Sequence, residues 1–222
     1  MTWAGYAAVF IGFFLTHSIP VRPRVKSQVA AKIGARGFGI LYSMLSLAMF
    51  ALLIWATGEA PYVQLWSQLQ WHRHVTHLGM LVVCLILALT IARPNPFSFG
   101  GTQNDAYDPA HPGITRWARH PVLMALALWA AVHLVPNGDL AHVILFGVLA
   151  SFAIAGRSLI DTRKRGQMGN DRWQELDLAR QAGPRFQMPT SWAGPVLRLA
   201  IGVAVFAILL LVHPYVIGVR AL

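Results

Sequence analysis

With 222 residues, 56% of them hydrophobic and only 12% charged, the chain carries about half the charge of a globular domain, which excludes an ordinary soluble protein. A single cysteine, Cys84, excludes an intrachain disulfide and a CxxC redox pair. The formal net charge of +10 comes with no RNA- or DNA-binding motif, so nucleic acid is excluded as a partner.

Six apolar segments follow in order, at about 3–19, 38–56, 75–92, 120–136, 140–157 and 195–216. Each is long enough to cross a hydrocarbon core of about 30 Å, the shorter ones barely. The expectation is an all-α, polytopic membrane bundle of about six transmembrane helices in the lipid bilayer, a single domain over 1–222. The first segment lacks a basic n-region and a small-residue cleavage site, so it reads as a span and not a removed signal peptide. Breakers separate the segments: Pro20 and Pro23, Gly58 and Pro61, Pro94 and Pro96, Pro136-Asn137-Gly138, and Pro189 to Pro195. Loop 93–119, with its Pro-Asn-Pro, Phe-Gly-Gly and Asp-Pro elements, reads as an ordered flap. Segment 157–185 mixes charge with Trp173, Leu176 and Leu178 and reads as a short amphipathic surface helix. Gly147, Ser151 and Ala155, and likewise Ala127 and Ala131, are small residues at helix-packing spacing.

Basic residues set the orientation. Loop 20–37 holds Arg22, Arg24, Lys26, Lys32 and Arg36, and loop 93–119 holds Arg93, Arg116 and Arg119. Loop 157–194 holds Arg157, Arg163, Lys164, Arg165, Arg172, Arg180 and Arg185, with Arg198 just beyond it. Of the 18 Lys and Arg residues, only Arg73 and Arg220 fall on the other side. The positive-inside rule therefore expects these three loops in the cytoplasm and both termini outside, in a bacterial inner membrane the periplasm.

Chemistry concentrates around Gly113-Ile114-Thr115-Arg116-Trp117-Ala118-Arg119-His120-Pro121 and the apolar run behind it. Pro121 suits the first turn of a helix. His133 follows 13 residues after His120, roughly 20 Å along a helix, and shares a face with Val122, Leu126 and Trp129. Ionisable side chains at such depth are functional candidates by default. The remaining histidines sort by depth: His17 with His120 near the inner side, His77 with His133 near the outer side. His72, His74, His142 and His213 belong at the outer interface and His111 in the flap. Neutral imidazoles from different helices at matched depth suit a haem or metal; satisfied interhelical hydrogen bonds are the plainer alternative. Arg116, Arg119 and His120 stand together as a candidate anion or cofactor-carboxylate site, with topogenic charge as the rival. Asp139 reads as a turn cap, and Asp161 with Arg157 and Arg163 as a solvated basic edge, with a site for an anionic head group or cofactor carboxylate as the alternative. No Gly-rich phosphate loop, HExxH, Ser-His-Asp order or catalytic carboxylate pair is present.

The Gly-Ile-x-Arg-x-x-Arg-His-Pro run with Trp129 and His133 resembles the core of the NnrU family, which includes plant and cyanobacterial 15-cis-ζ-carotene isomerases. The likeness extends to Thr16-His17-Ser18, Leu65-Trp66, Asp161, Arg172-Trp173 and Met188-Pro189, most of the chain. It implies a polytopic membrane protein associated with nitrite and nitric oxide metabolism in denitrifying bacteria and, from the isomerase branch, haem b. By position, the isomerase ligands carry over to His17 and His133, whereas depth pairs His77 with His133. Ala130 stands where the isomerases have a cysteine, and Ser151-Phe152 where they have paired histidines. Arg-His-Pro with a following amphipathic segment also looks like the isoprenylcysteine carboxyl methyltransferase superfamily, which uses S-adenosylmethionine. Three roles are thus implied: a haem-binding redox or isomerase protein, a non-catalytic accessory protein of denitrification, or a membrane methyltransferase. Whether the chain is an enzyme stays open; a hydrophobic or lipid-like substrate and a homo-oligomer fit the setting.

Overall fold

The computed structural model describes residues 1–189 and 191–219; Arg220, used above for orientation, lies outside them. Seven α-helices are present among the described residues: α1 Trp3–Ser18, α2 Pro23–Gly58, α3 Gln70–Thr90, α4 Pro121–Leu134, α5 Leu140–Met168, α6 Asn170–Ala182 and α7 Ala193–Ile217. The protein is all-α, and all of these except α6 are apolar helices of the expected membrane-spanning set. Helices α2, α3, α5 and α7 are long and apolar enough to cross a bilayer. Helix α4 has 14 residues, about 21 Å of rise, so crossing a core of about 30 Å requires its flanks.

Two boundaries differ from the expectation. Helix α2 begins at Pro23 instead of near 38, because Val25 to Arg36 contains no proline to stop it. It breaks at Gly34, whose φ of 77° and ψ of 160° leave the helical region; a left-handed φ there suits only glycine. Helix α5 runs eleven residues past 157 to Met168, so much of the expected surface helix 157–185 is the end of α5. The stop is Gly169 at φ 88°, and α6 starts directly after it.

The chain divides into two compact units. In the first, residues 1–66 and 139–145, α1 packs on α2. Tyr6 is buried there; its hydroxyl donates to the Ala141 carbonyl at 2.8 Å and lies 3.1 Å from Thr57 Oγ1. The Leu140 N–H donates to the Val63 carbonyl at 2.8 Å, tying the start of α5 to the segment after α2.

In the second unit, residues 67–138 and 146–222, α3 packs on both α4 and α7. Close approach is made by glycines other than the expected ridge. A Cβ on Gly79 would collide with the Val132 side chain, and one on Gly202 would stand 3.0 Å from Leu85 Cδ2 and 3.2 Å from the Cys84 carbonyl. A Cβ on Gly147 would meet nothing within 4 Å, and Ala131 is exposed, so neither is a contact ridge. Arg198 of α7 donates to the Ala88 and Ile91 carbonyls at 2.9 and 3.0 Å, satisfying acceptors that the end of α3 leaves open.

Candidate functional site

The 93–120 flap folds against α5 and α6 around two 3₁₀ turns, Asn104–Ala106 and Gly113–Arg116. Asn95, 1% exposed, organises it. Its side chain donates to the Arg119 carbonyl at 3.0 Å and accepts from the Phe97 N–H at 3.1 Å, while its own N–H reaches Asn104 Oδ1 at 2.9 Å. Gly101 fits because any Cβ would sit within 2.9 Å of the Arg93 carbonyl, Asn104 Oδ1 and the Asn95 nitrogen.

This scaffold delivers Arg119 and His120 to carboxylates on two helices. Arg119 donates through Nη2 to Asp161 Oδ2 at 2.8 Å and through Nη1 to Asp177 Oδ2 at 2.9 Å. The fork that suits an oxyanion is thus engaged by the chain's own carboxylates. His120 Nε2 lies 2.9 Å from Asp161 Oδ1, and its Nδ1 lies 3.1 Å from Ser98 Oγ. Asp177 also accepts from Arg180 Nε and Gln181 Nε2, each at 2.8 Å. Arg180 returns to the flap, donating through Nη1 to the Thr115 carbonyl at 2.7 Å and the Arg116 carbonyl at 3.0 Å. Arg116 closes the loop by donating to the Arg180 and Ala110 carbonyls.

Beneath the charges lies an aromatic floor. Trp173 is 3% exposed, with the guanidinium carbons of Arg165 and Arg119 at 4.0 and 5.0 Å from its ring centre. Phe97 meets Trp173 edge-on at 6.0 Å and Tyr107 at 5.7 Å. Burial raises the pKa of Tyr107, against the lowering pull of the Thr115 hydroxyl and the Arg180 and Arg116 guanidiniums. At the flap's exposed edge, Asp108 is held below its ordinary value by the His111 imidazole and the Ala110 N–H.

Ser98, His120 and Asp161 form a hydrogen-bonded row in the order of a hydrolytic triad, which is also their order along the chain, so the expectation that no Ser-His-Asp order is present is corrected. Ser98 is only 2% exposed, so its hydroxyl presents no face to a substrate, and the row acts as a buried strut. Asp161 is no solvated edge; its side chain is 13% exposed and holds two partners. Asn95, Ser98, Asp177 and Arg180 were not singled out from the sequence. Only the Asp177–Arg180 spacing of three, a helical ion pair, offered a local signal.

The second cluster surrounds His133. Its Nδ1 lies 2.8 Å from the Trp129 carbonyl; a carbonyl only accepts, so Nδ1 carries a proton, and in the neutral ring Nε2 holds the lone pair. Trp129 and Phe146 stand 5.2 and 5.3 Å from the imidazole, and 5.5 Å from each other. Asn137 Nδ2 donates to the His133 carbonyl at 2.7 Å, capping the helix end. His77 lies level with it on α3, because Thr76 Oγ1 donates across to the Val132 carbonyl at 3.0 Å. Donor chemistry here fits an axial haem ligand: an imidazole oriented by a backbone carbonyl, with Nε2 as the available donor.

His17, in the other unit, stacks on Phe13 at 5.6 Å and lies 3.4 Å from the Tyr42 hydroxyl. His72 Nδ1 accepts from the Leu69 N–H at 3.2 Å, and His142 pairs with Asp139 at 2.7 Å. His213 Nδ1 donates to the Val219 carbonyl at 2.7 Å. Among the described residues no three His, Cys, Asp or Glu side chains gather as a metal cage.

No curated protein and no solved structure matches the chain. Residues 6–221 match the family model for the NnrU protein. With the apolar helices on which the Arg-His-Pro flap and His133 are carried, this nearly full-length match shows that the chain belongs to the NnrU family of membrane proteins.

Proposed function

We propose that this protein binds haem b, with His133 as one axial ligand, and serves a redox or isomerase-type role linked to nitrite and nitric oxide metabolism. The observation that carries the reading is the Nδ1–H of His133 bonded to the Trp129 carbonyl. That bond fixes the tautomer and aims Nε2 as the donor. Trp129 and Phe146 flank the imidazole at 5.2 and 5.3 Å and would pack against the macrocycle. His77, level with His133 on the neighbouring helix, is the proposed second ligand, and His17 is its rival from the family likeness. Bound haem would supply an iron centre for electron transfer or for binding a small nitrogen oxide. Arg119 and His120 serve this function from a distance, by locking the flap onto α5 and α6, and Arg116 adds a bond to the Arg180 carbonyl of α6. In this reading the protein sits in a bacterial inner membrane with both termini in the periplasm, following the basic loops.

The test is the absorption spectrum of the detergent-solubilised protein. A Soret band that disappears in His133→Ala, with normal expression, is expected. A colourless wild-type protein, or an unaltered band in the variant, overturns the reading and leaves an accessory role within the family.

A further inference from the structure

The first 58 residues contain no acidic side chain; the first is Glu59. Yet Arg22, Arg24, Lys26, Lys32 and Arg36 gather at one end of α2, all exposed. Among the described residues no carboxylate pairs with any of them. Lys26 Nζ instead lies 5.8 Å from the Phe38 ring centre.

Positive-inside bias alone asks only that these cations stay on one side of the bilayer. The helix carries more organisation than that. At roughly 100° per residue, Val25, Val29 and Ile33 form an apolar stripe about 80° wide, with Lys32 and Lys26 each about 20° beyond its edges. Val25 and Val29 are half-buried and Ile33 is 46% exposed. An apolar stripe rimmed by lysines is the pattern of a helix lying in a membrane interface, its stems along the apolar layer and its ammonium groups among head groups.

The break at Gly34 separates this piece from the span that follows. Its φ of +77° interrupts the helix, and no atom lies within 4 Å of where its Cβ would be, so packing does not force the break. Residues 35–58 continue as an apolar helix within one of the candidate spans. Pro23–Ile33 is therefore tethered one residue from the rest of a candidate membrane span.

We infer that Pro23–Ile33 is an interfacial helix that binds anionic phospholipid head groups through Arg24, Lys26 and Lys32. Each basic residue close to an anionic surface strengthens binding about fivefold. The apolar stripe sets the depth, and the cations supply the preference for negative lipid.

The full chain, in a Cys84→Ser background with Ile33→Cys carrying an environment-sensitive fluorophore, is reconstituted into phosphatidylcholine vesicles with increasing phosphatidylglycerol. The expected result is a blue shift that grows with phosphatidylglycerol and is lost in about 1 M salt, where the screening length falls to about 3 Å. Single substitutions Arg24→Gln, Lys26→Gln and Lys32→Gln should each raise the phosphatidylglycerol needed for half the shift about fivefold. Equal emission with and without phosphatidylglycerol overturns the inference and leaves the cations a topological role only. A shift that survives high salt overturns it too, because insertion would then need no head-group charge. The salt titration uses the parent protein, so the result stands even if a charge variant folds poorly.

Discussion

Arg119 and Asp161 meet at 2.8 Å, Nη2 to Oδ2, although 42 residues separate them. The same carboxylate holds His120 at 2.9 Å, and the same guanidinium holds Asp177. One flap dipeptide thereby pins two helices, α5 and α6, with every charge of the pair matched by an opposite one. Removing a single member strands the others in a poorly solvated place.

Asp161→Asn should therefore destabilise the protein by about 3 kcal/mol, the cost of breaking a largely buried pair from one side. Arg119→Lys keeps the charge but reaches one carboxylate well and should cost about 1–2 kcal/mol. Thermal unfolding of the solubilised protein measures both. Melting temperatures equal to the parent's would show that the network contributes nothing to stability.

Gly79→Ala should destabilise by about 1–3 kcal/mol, because the new methyl overlaps Val132 in a packed helix pair. Gly147→Ala meets open space and should be neutral or gain up to about 1 kcal/mol from helix propensity. Denaturant titration of the two variants side by side decides it; an equal response from both contradicts the packing described for α3 and α4.

If haem is bound, the second ligand separates three variants. His77→Ala should convert a low-spin spectrum to high-spin, while His17→Ala and His213→Ala should leave it low-spin. His213 spends its Nδ1–H on the Val219 carbonyl at the end of α7. Loss of the low-spin bands in His17→Ala instead would assign the second ligand to α1.

Orientation is open to chemical labelling. In a Cys84→Ser background, a cysteine at Asn170 should resist an impermeant maleimide applied to intact cells and react after permeabilisation. Reaction from outside would invert the proposed topology.

The linear chain determined the all-helical membrane class and the rough positions of the apolar segments. Those properties depend on hydropathy summed over windows and on periodicity along one helix, which are local. Boundaries that hang on one residue escape such windows: α2 runs on from Pro23 and breaks at Gly34, and Gly169 separates α5 from α6. Local reasoning failed at the packing seams, since small residues are common in every span and only the folded chain shows that Gly79 and Gly202 are the ones touched. The Arg119–Asp161–Asp177–Arg180 network was beyond reach for a stronger reason. Its members come from a flap and two helices, and a charge shows no sign in the sequence of whether water or a carboxylate will face it. That is decided by tertiary structure, because burying these guanidiniums without an opposite charge would cost more than the fold can supply.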